Sequence, residues 1–315
     1  MKPKHALLAV LVAVIWGVNF LAIDAGLQSV PPLLFVAIRF ILVIVPWIFF
    51  IKPPAVKWYI VVVVGLTMSA GQFGLVYLAM HLGLPTGLAP LVLQAQVLFT
   101  ALIALAVLRE RPTRAQWVGV GLGAIGLAVV GIGRAQVAPV LPFLLVLAGA
   151  FSWAVGNVIV RQVKTSSGLS MVVWSGAVVP LPLFLLSWFV EGPDQVLHAL
   201  GNLQWPAILG SLFTAYVSTI VGYGIWNNLL SRYPAAAVGP YSLLIPPVGI
   251  AAAWLALGQA PSTTEIIGGA LLLSGVAAAV LRLKRRSAGP PAAPLAAHAV
   301  MAAPVTVDQL EKVSP

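Results

Sequence analysis

The side chains that could do chemistry here are few, and they sit inside long apolar runs. In LVLQAQVLFT, residues 91–100, Gln94 and Gln96 lie two positions apart. Arg39 stands in PPLLFVAIRFILVIVPWIFF, eight residues past Pro31. Asn19 follows Trp16 in WGVNF, and Asn157 follows Trp153 in WAVGN. Gln72 and Tyr77 occupy a third run, and Tyr223, Trp226, Asn227 and Asn228 a later one, with Trp174, Tyr241 and Ser242 elsewhere. Amides, indoles, phenols and one guanidinium recognise ligands by hydrogen bonds, ring faces and charge. The chain has no cysteine, and its 4 histidines are far apart in sequence. No histidine or aspartate pair and no GxSxG elbow is present, so no catalytic residue, metal site or cofactor is expected.

The solvent around these groups follows from composition. Of 315 residues 61% are hydrophobic and 8% charged, against about half and about a quarter in soluble domains. The chain reads as an all-α integral membrane protein with the lipid bilayer as its surroundings. The net charge of +10 is spread in short groups between apolar runs. It lacks the clustered face that nucleic acid requires. Residues 2–27 begin with basic residues and an apolar stretch, but the stretch is too long for a signal peptide and counts as the first span.

Windows of about 20 apolar residues give spans near 6–27, 31–51, 57–80, 84–107, 115–133, 140–162, 169–190, 205–230, 234–257 and 264–283. Residues 287–315 are Pro/Ala-rich and are expected to be a disordered cytoplasmic tail. With the N-terminus inside, cytoplasmic segments carry Lys2, Lys4, Lys52, Lys57, Arg109, Arg111, Arg114, Arg161, Lys164, Arg232, Arg282, Lys284, Arg285 and Arg286, and the outer connections only Arg134. That asymmetry predicts an even number of spans with both termini cytoplasmic.

A shift of 149 lays LRERPTRAQWVGVGLGAIG over LGQAPSTTEIIGGALLLSG, matching Gly119 with Gly268 and Gly126 with Gly275. A shift of 137 lays WGVNF over WAVGN, which places an insertion of about twelve residues near EGPDQVLHALGNLQ. The chain thus divides into five spans in 1–134 and five in 135–286. An odd number per repeat inverts the second half in the membrane, an arrangement that suits alternating access to a central cavity.

Polar groups within spans should face other helices or a cavity. Trp16 with Asn19, and Trp153 with Asn157, each share a helix face and are expected to line the cavity with Arg39, Gln72, Tyr77, Trp174, Trp226 and Tyr241. Arg39 lies roughly 12 Å from the outer surface at about 1.5 Å per residue. Either it pairs with Asp24, or it draws a ligand carboxylate into a wet cavity. Gln94 and Gln96 diverge by about 200° on a regular helix. One should therefore face the cavity and the other a neighbouring helix, and Gln94 could also satisfy a carbonyl freed by Pro90. No carboxylate lies mid-span, so facilitated or weakly coupled transport is expected, with Asp24 or His81 the remaining proton carriers.

WGVNFLAI, PPLLFVAIRF, GLAPLVLQAQVLFT, the LRERPTRAQWVGVGLGAIGLAVV segment, AFSWAVGNVIVRQV and STIVGYGIWNNLLSRYP together resemble the EamA family of the drug/metabolite transporter superfamily over roughly residues 6–283. The resemblance is strongest to bacterial inner-membrane exporters of amino acid metabolites. It implies ten helices in two inverted repeats and export of amino acids or similar small molecules. A drug or other metabolite carrier of the same fold, or a non-transporting receptor or scaffold, is the alternative. Trp16, Asn19, Arg39, Glu110, Trp153 and Asn157 match recurrent family positions. The acid often found before the last helix of each half is Glu110 in the first and Gln259 in the second, where an acceptor could brace the next helix's N-terminus.

Overall fold

The computed structural model describes residues 1–45, 47–109, 113–162, 168–233 and 235–280, which are helical with no strand among them. Glu110, Arg111 and the tail 287–315 lie outside the described residues. The helices are α1 (Pro3–Leu27), α2 (Pro32–Ile44), α3 (Trp58–His81), α4 (Leu88–Leu108), α5 (Arg114–Ala135), α6 (Leu141–Gln162), α7 (Ser170–Val190), α8 (Trp205–Arg232), α9 (Gly239–Leu257) and α10 (Thr263–Val280). Among the described residues eight are long and apolar enough to cross a membrane, whereas α2 and the stretch Thr263–Ala279 of α10 are shorter. The span expected over 31–51 stops early because Val45 is extended, with φ −91 and ψ 126. Pro46 follows it, and a proline disfavours helical geometry in the residue before. The predicted insertion carries its own helix, Pro193–Gly201.

Hydrogen bonds between connections sort the helix ends into two faces. On one, Glu191 accepts from the Leu33 amide at 2.8 Å, Gln259 from the Thr86 amide at 2.9 Å, and Gly83 O from Arg134 at 2.7 Å. On the other, the Tyr233 hydroxyl meets His5 Nδ1 at 2.7 Å, and Ser170 and Trp174 donate to the Lys52 and Ile51 carbonyls at 2.6 and 2.9 Å. Helices run alternately between these faces. Lys52, Lys57, Arg109, Arg114 and Arg232 gather on the second face, which we call basic; Asp24 and Glu191 mark the first, the acidic face.

The most extensive helix pairing joins α5 to α10. A Cβ on Gly119 would lie 2.5 Å from the Gly275 carbonyl oxygen, and one on Gly126 2.5 Å from that of Gly268. The contacts are reciprocal, and the helices run antiparallel at the crossing. Both helices also start alike. Thr113 and Gln116 form a capping box, and Ser262 and Glu265 make the same reciprocal bonds, each satisfying amides that a helix N-terminus leaves free.

Irregular backbone recurs at matching places. Gly65–Gly71 of α3 and Phe213–Val221 of α8 are π-helical, and the shift of 149 lays the first within the second. α4 breaks at Gln94, and α9 changes from 3₁₀ to α winding after Leu244. Both helices are thus interrupted at equivalent depths.

The α5–α10 contact makes a prediction. Gly126→Ala should destabilise by about 1–3 kcal/mol through overpacking against backbone. A methyl group on Gly121 would meet no atom within 4 Å, so that position should accept alanine without loss. Thermal unfolding in detergent reads both; equal midpoints would contradict the close approach.

Candidate functional site

Midway between the faces, a cavity of about 90 Å³ is lined by Trp16, Asn19 and Phe20 of α1, Arg39 of α2, Gln72 and Phe73 of α3, Pro90, Leu93, Gln94 and Gln96 of α4, Trp153 of α6, Ser218 and Tyr223 of α8, and Ile245 of α9. A second cavity of about 30 Å³, walled by Met68, Met171, Val172 and Ser175 among others, shares Arg39, Phe73, Trp153 and Tyr223 with it. Those four side chains form the partition. No aspartate, glutamate or histidine lines either cavity among the described residues.

Arg39 is 2% exposed. Its Nη1 donates to the Tyr77 hydroxyl at 3.2 Å and its Nη2 to Thr219 Oγ1 at 3.1 Å, while Nε has no partner. The guanidinium carbon lies 4.0 Å from the Phe73 ring centroid and 5.5 Å from that of Phe40. A desolvated cation over a ring gains about 2 kcal/mol, close to the roughly 2.5–3.5 kcal/mol insertion penalty of a mid-membrane arginine. The charge is therefore held without being neutralised. Thr219 is in position because it donates to Thr214 O at 2.8 Å, five residues back, the spacing of π winding.

Amides crowd the same walls. Asn19 Oδ1, Gln72 Oε1, Gln96 Oε1, Gln94 Nε2 and Trp153 Nε1 are buried without a hydrogen-bond partner. Each such group costs about 1–3 kcal/mol if left unmatched. Gln94 and Gln96 both line the cavity, contrary to the regular-helix expectation. The reason is the break in α4. Gln94 N bonds Leu91 O, and Val97 N bonds Gln94 O, both at 3.1 Å, a three-residue spacing that winds about 120° per residue. Tighter winding brings the two side chains nearer one face, and Gln94 Nε2 does not satisfy a carbonyl freed by Pro90. On the opposite wall the Trp16 indole donates to Ser218 O at 3.0 Å, with its ring 5.0 Å from Tyr223 and 5.3 Å from Trp226.

Other expected wall residues stand elsewhere. Tyr77 is fully buried behind Arg39, as its acceptor, and Trp226 behind Trp16. Asn157 is 1% exposed on α6 and reaches neither cavity, although both its amide atoms lack partners. Trp174 lies at the basic face, where it donates to Ile51 O and meets Trp58 edge-on at 5.6 Å. Tyr241 packs on the cluster around Trp16 and Trp226 rather than on the cavity.

Asp24 does not pair with Arg39. It accepts from Thr86 Oγ1 at 2.8 Å, and the Thr86 amide donates to Gln259 Oε1. Gln259 thus braces the start of α4 rather than the helix that follows it, whose N-terminus Glu265 and Ser262 serve. Asp24, Gln259, Ser262 and Glu265 border a third cavity of about 650 Å³ at the acidic face. Glu191, just past the end of α7, caps α2 through the Leu33 and Leu34 amides and accepts from Ser187 Oγ. Phe73, Ser218 and Thr219 were missed, since a lone phenylalanine or hydroxyl in an apolar run carries no sequence signal.

The sequence profile of the EamA-like transporter family matches residues 3–132 and again 140–281. A "Probable amino-acid metabolite efflux pump" of Salmonella typhimurium is 41% identical over 282 residues, 88% of this chain and 94% of its own length. A protein of Escherichia coli (strain K12) with the same name is 39% identical over 295 residues, covering 91% and 98%. A solved crystal structure with 22% identity superposes with a TM-score of 0.55 over 89% of this chain and 98% of that one, which shows a common fold.

The Asp24 geometry can be checked. Asn at position 24 keeps an acceptor for Thr86, so Asp24→Asn should leave the yield of folded protein unchanged. Asp24→Leu should cost about 1–3 kcal/mol by leaving the buried hydroxyl unpaired. Size-exclusion profiles and unfolding midpoints separate the two, and collapse of Asp24→Asn would restore the Arg39 pair.

Proposed function

The chain belongs to the EamA-like transporter family, and from that premise we propose that it exports amino acids or closely related small metabolites by alternating access. The substrate occupies the Arg39 cavity. One observation carries this reading: a buried guanidinium without a carboxylate partner forms a wall common to two mid-level cavities. Arg39 receives the substrate carboxylate through Nε and its nearest Nη edge, and Trp16, Asn19, Gln72, Gln94, Gln96 and Trp153 bound the rest. Tyr77 and Trp226 hold the first layer in place.

The architecture we infer is ten spans in two inverted five-helix repeats, 1–134 and 135–286. The double family match, the reciprocal glycine contact of α5 with α10, and the matched irregularities of α3 with α8 and α4 with α9 support it. Interrupted helices at corresponding positions are where such carriers place their sites. The excess of lysine and arginine on the basic face supports cytoplasmic termini, in a bacterial inner membrane. The acidic face is then outer, and Asp24, Thr86 and Gln259 form a latch there between the halves, which opens as the substrate leaves.

Two outcomes are expected in proteoliposomes containing only this protein. Arg39→Gln should lower uptake of a competent amino acid at least about tenfold while the protein stays folded, and Arg39→Lys should recover little, because an ammonium cannot reproduce the fork to Tyr77 and Thr219. Uptake should also be the same with and without a pH gradient, since among the described residues neither cavity wall carries a carboxylate or histidine. Absence of flux for every amino acid and metabolite tested would refute transport, and strict gradient dependence would refute the uncoupled mechanism.

A further inference from the structure

We infer, resting on the reading of the cavity as an amino acid site, that the side-chain oxygens of Asn19, Gln72 and Gln96 form a neutral cradle for the substrate's unblocked primary ammonium group. The transporter then selects free amines borne next to a carboxylate and rejects their N-trimethylated and 2-hydroxy counterparts.

Asn19, Gln72 and Gln96 come from α1, α3 and α4 and all line one cavity of about 90 Å³, and the side-chain oxygen of each is buried without a partner. The residues are 6%, 7% and 6% exposed. An ammonium has three N–H donors and no acceptor, so its demand equals the supply. The unpartnered donors on the same walls are Arg39 Nε, Trp153 Nε1 and Gln94 Nε2, which suit a carboxylate. One small chamber therefore offers both halves of a zwitterion's complement. A volume of about 10–15 Å³ is the least that admits one water, so about 90 Å³ admits the head group and a short side chain.

Neutral acceptors have a reason here. A carboxylate in place of any of the three amides would pair with Arg39 and occupy the position the substrate carboxylate needs. An amide oxygen accepts from the ammonium without competing for the guanidinium. The cradle also depends on irregular backbone, since Gln72 directly follows the π stretch of α3 and Gln96 follows the break in α4. A lone amine, lacking the carboxylate that offsets Arg39, is repelled. A trimethylated amine keeps its charge but leaves the three buried oxygens unmatched.

The test is counterflow in proteoliposomes with a panel of small L-amino acids, each compared with its 2-hydroxy acid and its N,N,N-trimethyl derivative. Both derivatives should compete at least about tenfold more weakly than the parent. Gln96→Met should weaken the parent about tenfold and leave the derivatives unchanged, erasing the discrimination. Asn19→Leu, on a different helix, gives the same reading if Gln96→Met does not fold. Equal competition by the trimethyl derivative, or equal weakening of all three ligands in the variants, would overturn the cradle while leaving amino acid export intact. Failure of every amino acid to exchange would remove both.

Discussion

Arg39 projects from a 13-residue apolar helix into the middle of the molecule, and its charge is met by a phenol, a threonine hydroxyl and the face of Phe73 rather than by a carboxylate. A full charge in that setting persists only where surrounding dipoles and rings carry it. Much of the nearby structure serves this requirement. Tyr77 is buried to present its hydroxyl, the π stretch of α8 aims Thr219, and Glu191 reaches across from the end of α7 to cap the short helix that bears the arginine. The result is a cation fixed in place and still available.

Regular helices alone would not have built this chamber. On an unbroken α4 the two glutamines would lie nearly opposite each other, and on an unbroken α8 the Thr219 hydroxyl would find its acceptor one turn back. The α4 break turns both glutamines to the larger cavity, and the π stretch of α8 turns Thr219 to Arg39 at the smaller one. Such irregularity weakens the local backbone, and the close packing of α5 on α10, where glycines let backbones meet, backs α4 on either side of its break, Leu98 against Gly123 and Leu91 against Gly269. Rigid support and adaptable site are thus assigned to different helices.

The legible parts of the sequence were those governed by period and partition. Apolar length marked the helices, the 149-residue shift singled out four glycines that the structure packs crosswise, Gly119 on Gly275 and Gly126 on Gly268, and the rule that polar groups turn from lipid put Trp16, Asn19, Arg39, Gln72 and Trp153 on one cavity. What escaped depended on contacts distant in sequence. Trp174 lies at the basic face because the Ile51 carbonyl offers an acceptor there, Asn157 faces away from both cavities, and Asp24 is claimed by Thr86. Glu191 resembled any loop acid until the amides of Leu33 and Leu34 appeared beside it. Periodicity fixes which face a residue takes on its own helix, but not which neighbour that face meets.

The central claim is that Arg39 is reserved for a substrate carboxylate. Competition between a transported L-amino acid and its carboxamide in proteoliposomes tests it most directly, because the carboxamide keeps the amine, the side chain and nearly the same size. The carboxamide should compete at least about tenfold more weakly, as expected when a charge-assisted hydrogen bond is lost. Equal competition by the two would contradict the claim, and would leave the buried guanidinium as a structural element only.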